Sequence, residues 1–187
     1  TEKIQTVMPM PSEKDSWNDL QILFATKNGN VRRNQLNDFV NIRQNGKIAM
    51  KLHNDDELVS VLPCNTTDNF FLATRLGKAI RCDINDVRIF VGRDSSGVRG
   101  IKLKPSDYVV SMSIVNPDIK QFVLSVTENG FGKRTLVDDY RITNRGGQGV
   151  ANIECSDRNG PVVSSYIVSS DDELSLIHIS EPTRRTT

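Results

Sequence analysis

The chain is poor in the residues that do chemistry at metal sites and nucleophilic centres. It has two histidines, His53 and His178, and three cysteines, Cys64, Cys82 and Cys155. The histidines lie far apart and no two cysteines form a CxxC pair, so neither a zinc ribbon nor a Ser-His-Asp triad has a basis. An odd cysteine count argues against a disulfide framework. Free thiols in a reducing cytoplasm, acting as small buried hydrophobes, fit best. No run approaches the roughly 18 consecutive apolar residues of a membrane helix. The opening TEKIQTVMPMP lacks the basic and apolar regions of a signal peptide. Secretion and membrane insertion are therefore not expected. Aromatic residues make up 6% and are not interleaved with basic ones along the chain, which disfavours stacking on single strands. Residues Phe131-Gly132-Lys133-Arg134-Thr135 lack the first glycine of a phosphate loop and place Arg where Ser or Thr should follow Lys. Tyr108, Tyr140 and Tyr166 have no neighbouring base and read as packing residues, and Asp55-Asp56-Glu57 reads as a solvated turn. No catalytic constellation emerges, and no cofactor or metal is expected in this chain.

Charge is the first positive signal. The 187 residues carry a net charge of only +1, unevenly spread. Residues 22–54 hold six cations (Lys27, Arg32, Arg33, Arg43, Lys47, Lys51) against Asp38 alone. Residues 70–104 hold eight (Arg75, Lys78, Arg81, Arg88, Arg93, Arg99, Lys102, Lys104) against Asp83, Asp86 and Asp94. Segregation of this kind points to a polyanionic partner, with a solvated charged surface as the alternative.

The second signal is an internal repeat with a period near 50 residues. ILFATKNGNVRR from Ile22, FFLATRLGKAIR from Phe70 and VLSVTENGFGKR from Val123 align Thr26, Thr74 and Thr127, then Gly29, Gly77 and Gly130, then Arg33, Arg81 and Arg134. GKIAMKL from Gly46, GVRGIKL from Gly97 and GVANIEC from Gly149 form a second block, and segments ending at Ser60, Ser111 and Ser164 form a third. IQTVM at 4–8 looks like the third block of a preceding unit. Apolar β-rich runs stop at glycine turns, Asn28-Gly29 and Asn129-Gly130 predicting type I′ hairpins. Arg33 to Val40 is a candidate for one helical turn. About four strands per unit without a long amphipathic helix predict an all-β, propeller-like array of roughly four-stranded blades, with repeats near 22–64, 70–115 and 123–168. Repeat-aligned cations would then line the blade perimeter and contact the phosphates of duplex DNA. Arg33, Arg81 and Arg134 lead this set, with Arg32, Lys133, Lys78, Arg99 and Lys102 behind them and Arg145 counted among them. Two alternatives stand beside it: these arginines pair with blade acids such as Asp83 or Asp138, or the propeller binds a protein partner.

The blocks ATKNGNVRR, GKIAMKL, DELVSV, SSGVRGIKL, ENGFGKRT and RNGPVVS resemble the C-terminal domain family of bacterial DNA gyrase A over roughly residues 1–174. The resemblance implies a β-pinwheel, a propeller whose blades exchange strands and whose basic perimeter bends and wraps DNA for ATP-dependent negative supercoiling. It implies as partners the rest of gyrase A and the gyrase B protein in an A2B2 assembly, in the bacterial cytoplasm with the nucleoid. The cleaving tyrosine, ATP and Mg belong to other parts of that holoenzyme. The family's first blade carries a Gln- and Arg-rich glycine box, and this chain is expected to begin after it. TNRGGQG, Thr143 to Gly149, resembles a degenerate copy. The topoisomerase IV C-terminal domain is the rival within the family. Residues 175–187, SLIHISEPTRRTT, depart from the pattern and are expected to be a disordered or artefactual tail.

Overall fold

The computed structural model describes residues 6–8, 12, 17–41, 44, 46, 48–53, 55–92 and 94–172. The 175–187 tail and part of the 4–8 segment lie outside them. The strands are β1 (Gln21–Thr26), β2 (Asn30–Gln35), β3 (Leu58–Cys64), β4 (Asn69–Thr74), β5 (Lys78–Asp83), β6 (Val98–Arg99), β7 (Val109–Val115), β8 (Phe122–Thr127), β9 (Gly132–Leu136), β10 (Val150–Ala151) and β11 (Val162–Val168). They form three antiparallel sheets, ordered β3-β1-β2-β6, β10-β5-β4-β7 and β11-β8-β9. The described residues contain no α-helix. After each basic strand comes one 3-10 turn (Leu36–Phe39, Ile84–Asp86, Val137–Asp139), burying Leu36, Ile84 and Val137.

The hairpin turns differ from the type I′ expectation. Gly29, Gly77 and Gly130 have φ of 82°, 76° and 81°, whereas Asn28, Leu76 and Asn129 do not enter the positive region. Gly29 N donates to Thr26 O at 2.9 Å, Gly77 N to Thr74 O and Gly130 N to Thr127 O. In the third, Phe131 follows the glycine before β9 begins, and the first two are three-residue loops in which only the last position needs glycine. That is why Leu76 is accepted where the other units have Asn.

Blades exchange strands. β6 lies in sequence between β5 and β7 of the second blade, yet it pairs with β2 of the first through Asn30↔Arg99 and Val31↔Val98. β10 lies in the third repeat and pairs with β5 through Val150↔Ala79 and Ala151↔Lys78. Residues 87–103 thus lap over the first blade, and residues 140–155 over the second. Each lap is pinned at both ends: Phe90 N donates to Arg33 O and Gly100 N to Gly29 O in the first, Thr143 N to Arg81 O and Asn152 N to Gly77 O in the second. Within the laps, Gly97 and Gly149 sit so close to the strands below that an added Cβ would lie 2.3 Å from Val31 O and 2.4 Å from Ala79 O.

The core runs between blades. Leu23, Phe70, Leu72, Ile80, Val87, Ile101 and Met112 join the first and second blades, and Phe71, Ala79, Val123, Val137 and Tyr140 join the second and third. β4 therefore buries all six residues, while β8 buries alternate ones.

Candidate nucleic-acid interface

The structure divides the sequence-predicted cations into two groups. Arg32, Arg33 and Arg81 are 0%, 5% and 6% exposed, which corrects the expectation that they contact phosphate. The physical reason is strand exchange: the basic strand is an outer strand only until the lap covers it. Arg32 Nη1 donates to Ser95 O at 2.9 Å and its Nη2 to Gly92 O, and the guanidinium lies over the Phe90 ring. Arg33 Nη1 donates to Asn85 Oδ1 at 3.1 Å. Burial lowers its pKa from the usual value, against the opposing pull of Cys64 and Asp83. Arg81 Nε donates to Asn69 Oδ1 at 2.9 Å, and its Nη1 to Val137 O at 3.1 Å and Tyr140 O at 3.5 Å. The same Nη1 pairs with Asp138 at 3.3 Å, so the alternative of pairing with a blade acid holds for this residue. Arg32 and Arg81 supply donors to backbone carbonyls of the chain that crosses them, Ser95 and Gly92 for the first and Val137 and Tyr140 for the second, which keeps those carbonyls paired.

The second group is on the surface. Arg99 and Lys102 of the first lap and Arg145 of the second are exposed, as are Arg88, Lys104 and Arg141. The turn 143–149 brings Arg99, Lys102 and Arg145 together. Arg145 Nε donates to Asp86 O at 2.8 Å and its Nη1 to Arg99 O at 3.1 Å. Gly146 N donates to Gly100 O, and Lys102 N donates to Gly147 O at 2.8 Å. One lap is therefore bonded to the next, and Arg99, Lys102 and Arg145 share its exposed rim. Lys78 is half-buried beside β10. Lys133 and Arg134 are exposed on β9 and stand apart from this rim; Lys133 Nζ donates to Asn152 O at 3.2 Å, and Arg134 stacks on Phe122 at 4.8 Å.

Some contacts were not legible as spacing. Arg88 lies 4.4 Å from the centroid of Phe90, Arg158 5.0 Å from that of Phe131, and Lys27 and Arg75 flank Tyr108. Cations and aromatics that do not alternate in sequence thus meet in space. Asp56, read as part of a solvated turn, is 8% exposed, and its Oδ1 accepts from Asn28 N and Glu57 N. Asp107 does the same for Leu76 N and Tyr108 N in the next repeat. The signal was present: these aspartates are 51 residues apart, each just before the third block. Tyr140, with its hydroxyl on Asn152 Oδ1 at 2.6 Å, joins a buried network that includes Ser125 and Ser165. Cys64 and Cys82 are buried free thiols whose pKa is pushed up to about 12, chiefly by burial. Among the described residues no group of three or more His, Cys, Asp or Glu is placed to hold a metal ion, and no helix is long and apolar enough to cross a membrane.

Comparison with known proteins agrees with this architecture. The family described as DNA gyrase C-terminal domain, beta-propeller, matches residues 21–65, 68–116 and 121–169. The A subunit of DNA gyrase from Rickettsia prowazekii is 39% identical over 222 residues, covering 94% of this chain and 24% of the relative. Its counterpart from Staphylococcus epidermidis is 37% identical over 177 residues, covering 94% and 20%. The chain thus spans about a quarter or less of these relatives. A solved DNA gyrase A C-terminal domain superposes with a TM-score of 0.74 at 30% identity, over 86% of this chain and 53% of that one. The crystal structure of a topoisomerase IV C-terminal domain gives 0.75 at 26%, over 81% and 47%.

Proposed function

Because this chain belongs to the DNA gyrase C-terminal domain family, with the β-pinwheel architecture of its solved relatives, we propose that it binds duplex DNA along the outer rim of its laps and bends it. In this reading it serves a gyrase A protein that works with gyrase B, as A2B2, in ATP-dependent negative supercoiling. ATP and Mg act elsewhere in that assembly, whose place is the cytoplasm, with the nucleoid. The observation that carries the reading is the lap-to-lap join that sets Arg99, Lys102 and Arg145 on one exposed surface. Duplex DNA carries one charge per about 1.7 Å of axis, so a row of exposed cations fixed on rigid backbone holds it through many modest contacts without reading bases. The topoisomerase IV neighbour superposes equally well, and the gyrase assignment rests on the 37–39% identity to gyrase A sequences.

The test is the salt dependence of duplex binding. Replacing Arg99 and Lys102 with Glu should weaken all duplex sequences alike and flatten the slope of log affinity against log salt by about 0.9 per lost contact. An unchanged slope would overturn the rim as the binding surface. A protein ligand captured in place of any salt-sensitive DNA affinity would favour a scaffold instead.

A further inference from the structure

The two laps are filled differently. Beneath the first, Arg32 and Phe90 occupy the space between β2 and the crossing chain, Arg32 fully buried and Phe90 6% exposed. The equivalent contacts, Phe90 N to Arg33 O and Thr143 N to Arg81 O, set Thr143 opposite Phe90. The strand registers, Phe24↔Arg32 in the first blade and Leu72↔Ile80 in the second, make Ile80 the counterpart of Arg32. Two large side chains are thus replaced by two smaller ones, and a hollow of about 270 Å³ opens beneath the second lap. Ala79 and Ile80 line it from the strand, and Arg141, Thr143, Asn144 and Gln148 line it from the lap.

Its chemistry suits an anion. Arg141, Asn144 and Gln148 are exposed, and Arg141 has no ion-pair partner among the described residues. The nearby Asp138 is engaged by Arg81. The volume is below the roughly 300–1,000 Å³ that encloses a drug-sized ligand, so one charged group fits better than a whole small molecule. The hollow also lies on the rim: Arg145 and Gly146 of the same turn are bonded to Arg99 and Gly100. We propose that this hollow seats one backbone phosphate of the bound duplex, Arg141 supplying the charge and Asn144 and Gln148 supplying hydrogen bonds, while Thr143, whose hydroxyl donates to Arg81 O, lines the seat. This rests on the rim reading and names a contact that the first blade, with its filled lap, lacks.

The experiment measures binding of the whole chain to a labelled linear duplex over a series of salt concentrations. Arg141→Gln should lower the slope by about 0.9 and weaken binding about eightfold at 0.1 M salt, the effect of one phosphate contact. The double variant Ile80→Arg/Thr143→Phe copies the first blade's filling. It should weaken binding despite its added cation. Asn144→Ala/Gln148→Ala, which changes no charge and leaves the packed core alone, should also weaken it and serves if the filled variant does not fold. Unchanged affinity in Arg141→Gln and in the neutral pair, with Arg99→Glu/Lys102→Glu still weakening binding, would overturn the seat and leave the rim. If Arg99→Glu/Lys102→Glu also changes nothing, the rim reading fails and the seat falls with it. Inorganic phosphate competing in wild type but not in Arg141→Gln supports the seat; equal competition in both overturns it.

Discussion

The second and third blades carry the same basic strand and treat it in opposite ways. Arg81 of β5 is roofed by the second lap, whereas Lys133 and Arg134 of β9 are exposed, with no strand on the outer edge of β9 among the described residues. The sequences of the two strands hardly predict this, since Arg81 and Arg134 hold the same repeat position. What differs is the neighbour. An arginine under a lap finds backbone carbonyls at hydrogen-bond distance, and removing it strands them out of water. An arginine on an open edge finds water and a ring face, and its charge discourages pairing with foreign strands. Position in a repeat therefore specifies a backbone site, and coverage decides whether the side chain there is structural or available.

Substitution breaks the comparison most sharply at the arginines themselves. Arg81→Ala should cost about 3–5 kcal/mol, because it removes donors from Val137 O and Tyr140 O and leaves Asn69 Oδ1 without its partner. Arg134→Ala, losing one exposed stack, should cost no more than about 1 kcal/mol. Urea melts of both variants check this, and equal losses would contradict the roofed-against-open distinction. The glycines come next. Gly149→Ala puts a Cβ 2.4 Å from Ala79 O at φ of 69° and should cost about 3 kcal/mol by lifting the lap. Gly130→Ala meets nothing within 4 Å and should cost only the roughly 1–2 kcal/mol of a left-handed alanine.

Much of the fold was legible in the sequence because the repeat is written in residues with narrow conformational roles. Gly29, Gly77 and Gly130 mark turns that need positive φ, and the apolar runs before the first two mark strands packed on both sides. The site was less legible. Arg33, Arg81 and Arg134 looked equivalent because strand exchange is a long-range event: what covers β2 comes from residues 87–103, more than fifty positions away. The exposed rim cations Arg99 and Lys102 sit in the second repeat block, yet its copy in the third unit has Ala151 and Glu154 in their places. No spacing rule singles out a residue whose counterpart has lost its charge.

The thiols, whose pH-dependent effect is absent at neutral pH, lie in the first two blades and the second lap but not in the strands of the third blade. Burial raises Cys64 and Cys82 to about 12, with Asp68 pushing the first and Asp86 the second in the same direction. Both thiols are fully protonated at neutral pH, and an unfolded thiol titrates at about 8.5. The folded state thus holds protons that the unfolded state gives up. This contribution to stability is complete below about pH 8.5 and is lost as pH rises towards 12. Cys82 lies in β5, under the lap, so its share of the loss belongs to the roofed blade. Urea midpoints should fall between about pH 8 and pH 10.5, and less steeply in Cys82→Ala, which removes one titrating group at some cost at every pH. An identical pH slope in Cys82→Ala would mean that this thiol keeps its ordinary acidity. The lap would then admit water to β5, and the second blade would differ from the third less than its buried arginine implies.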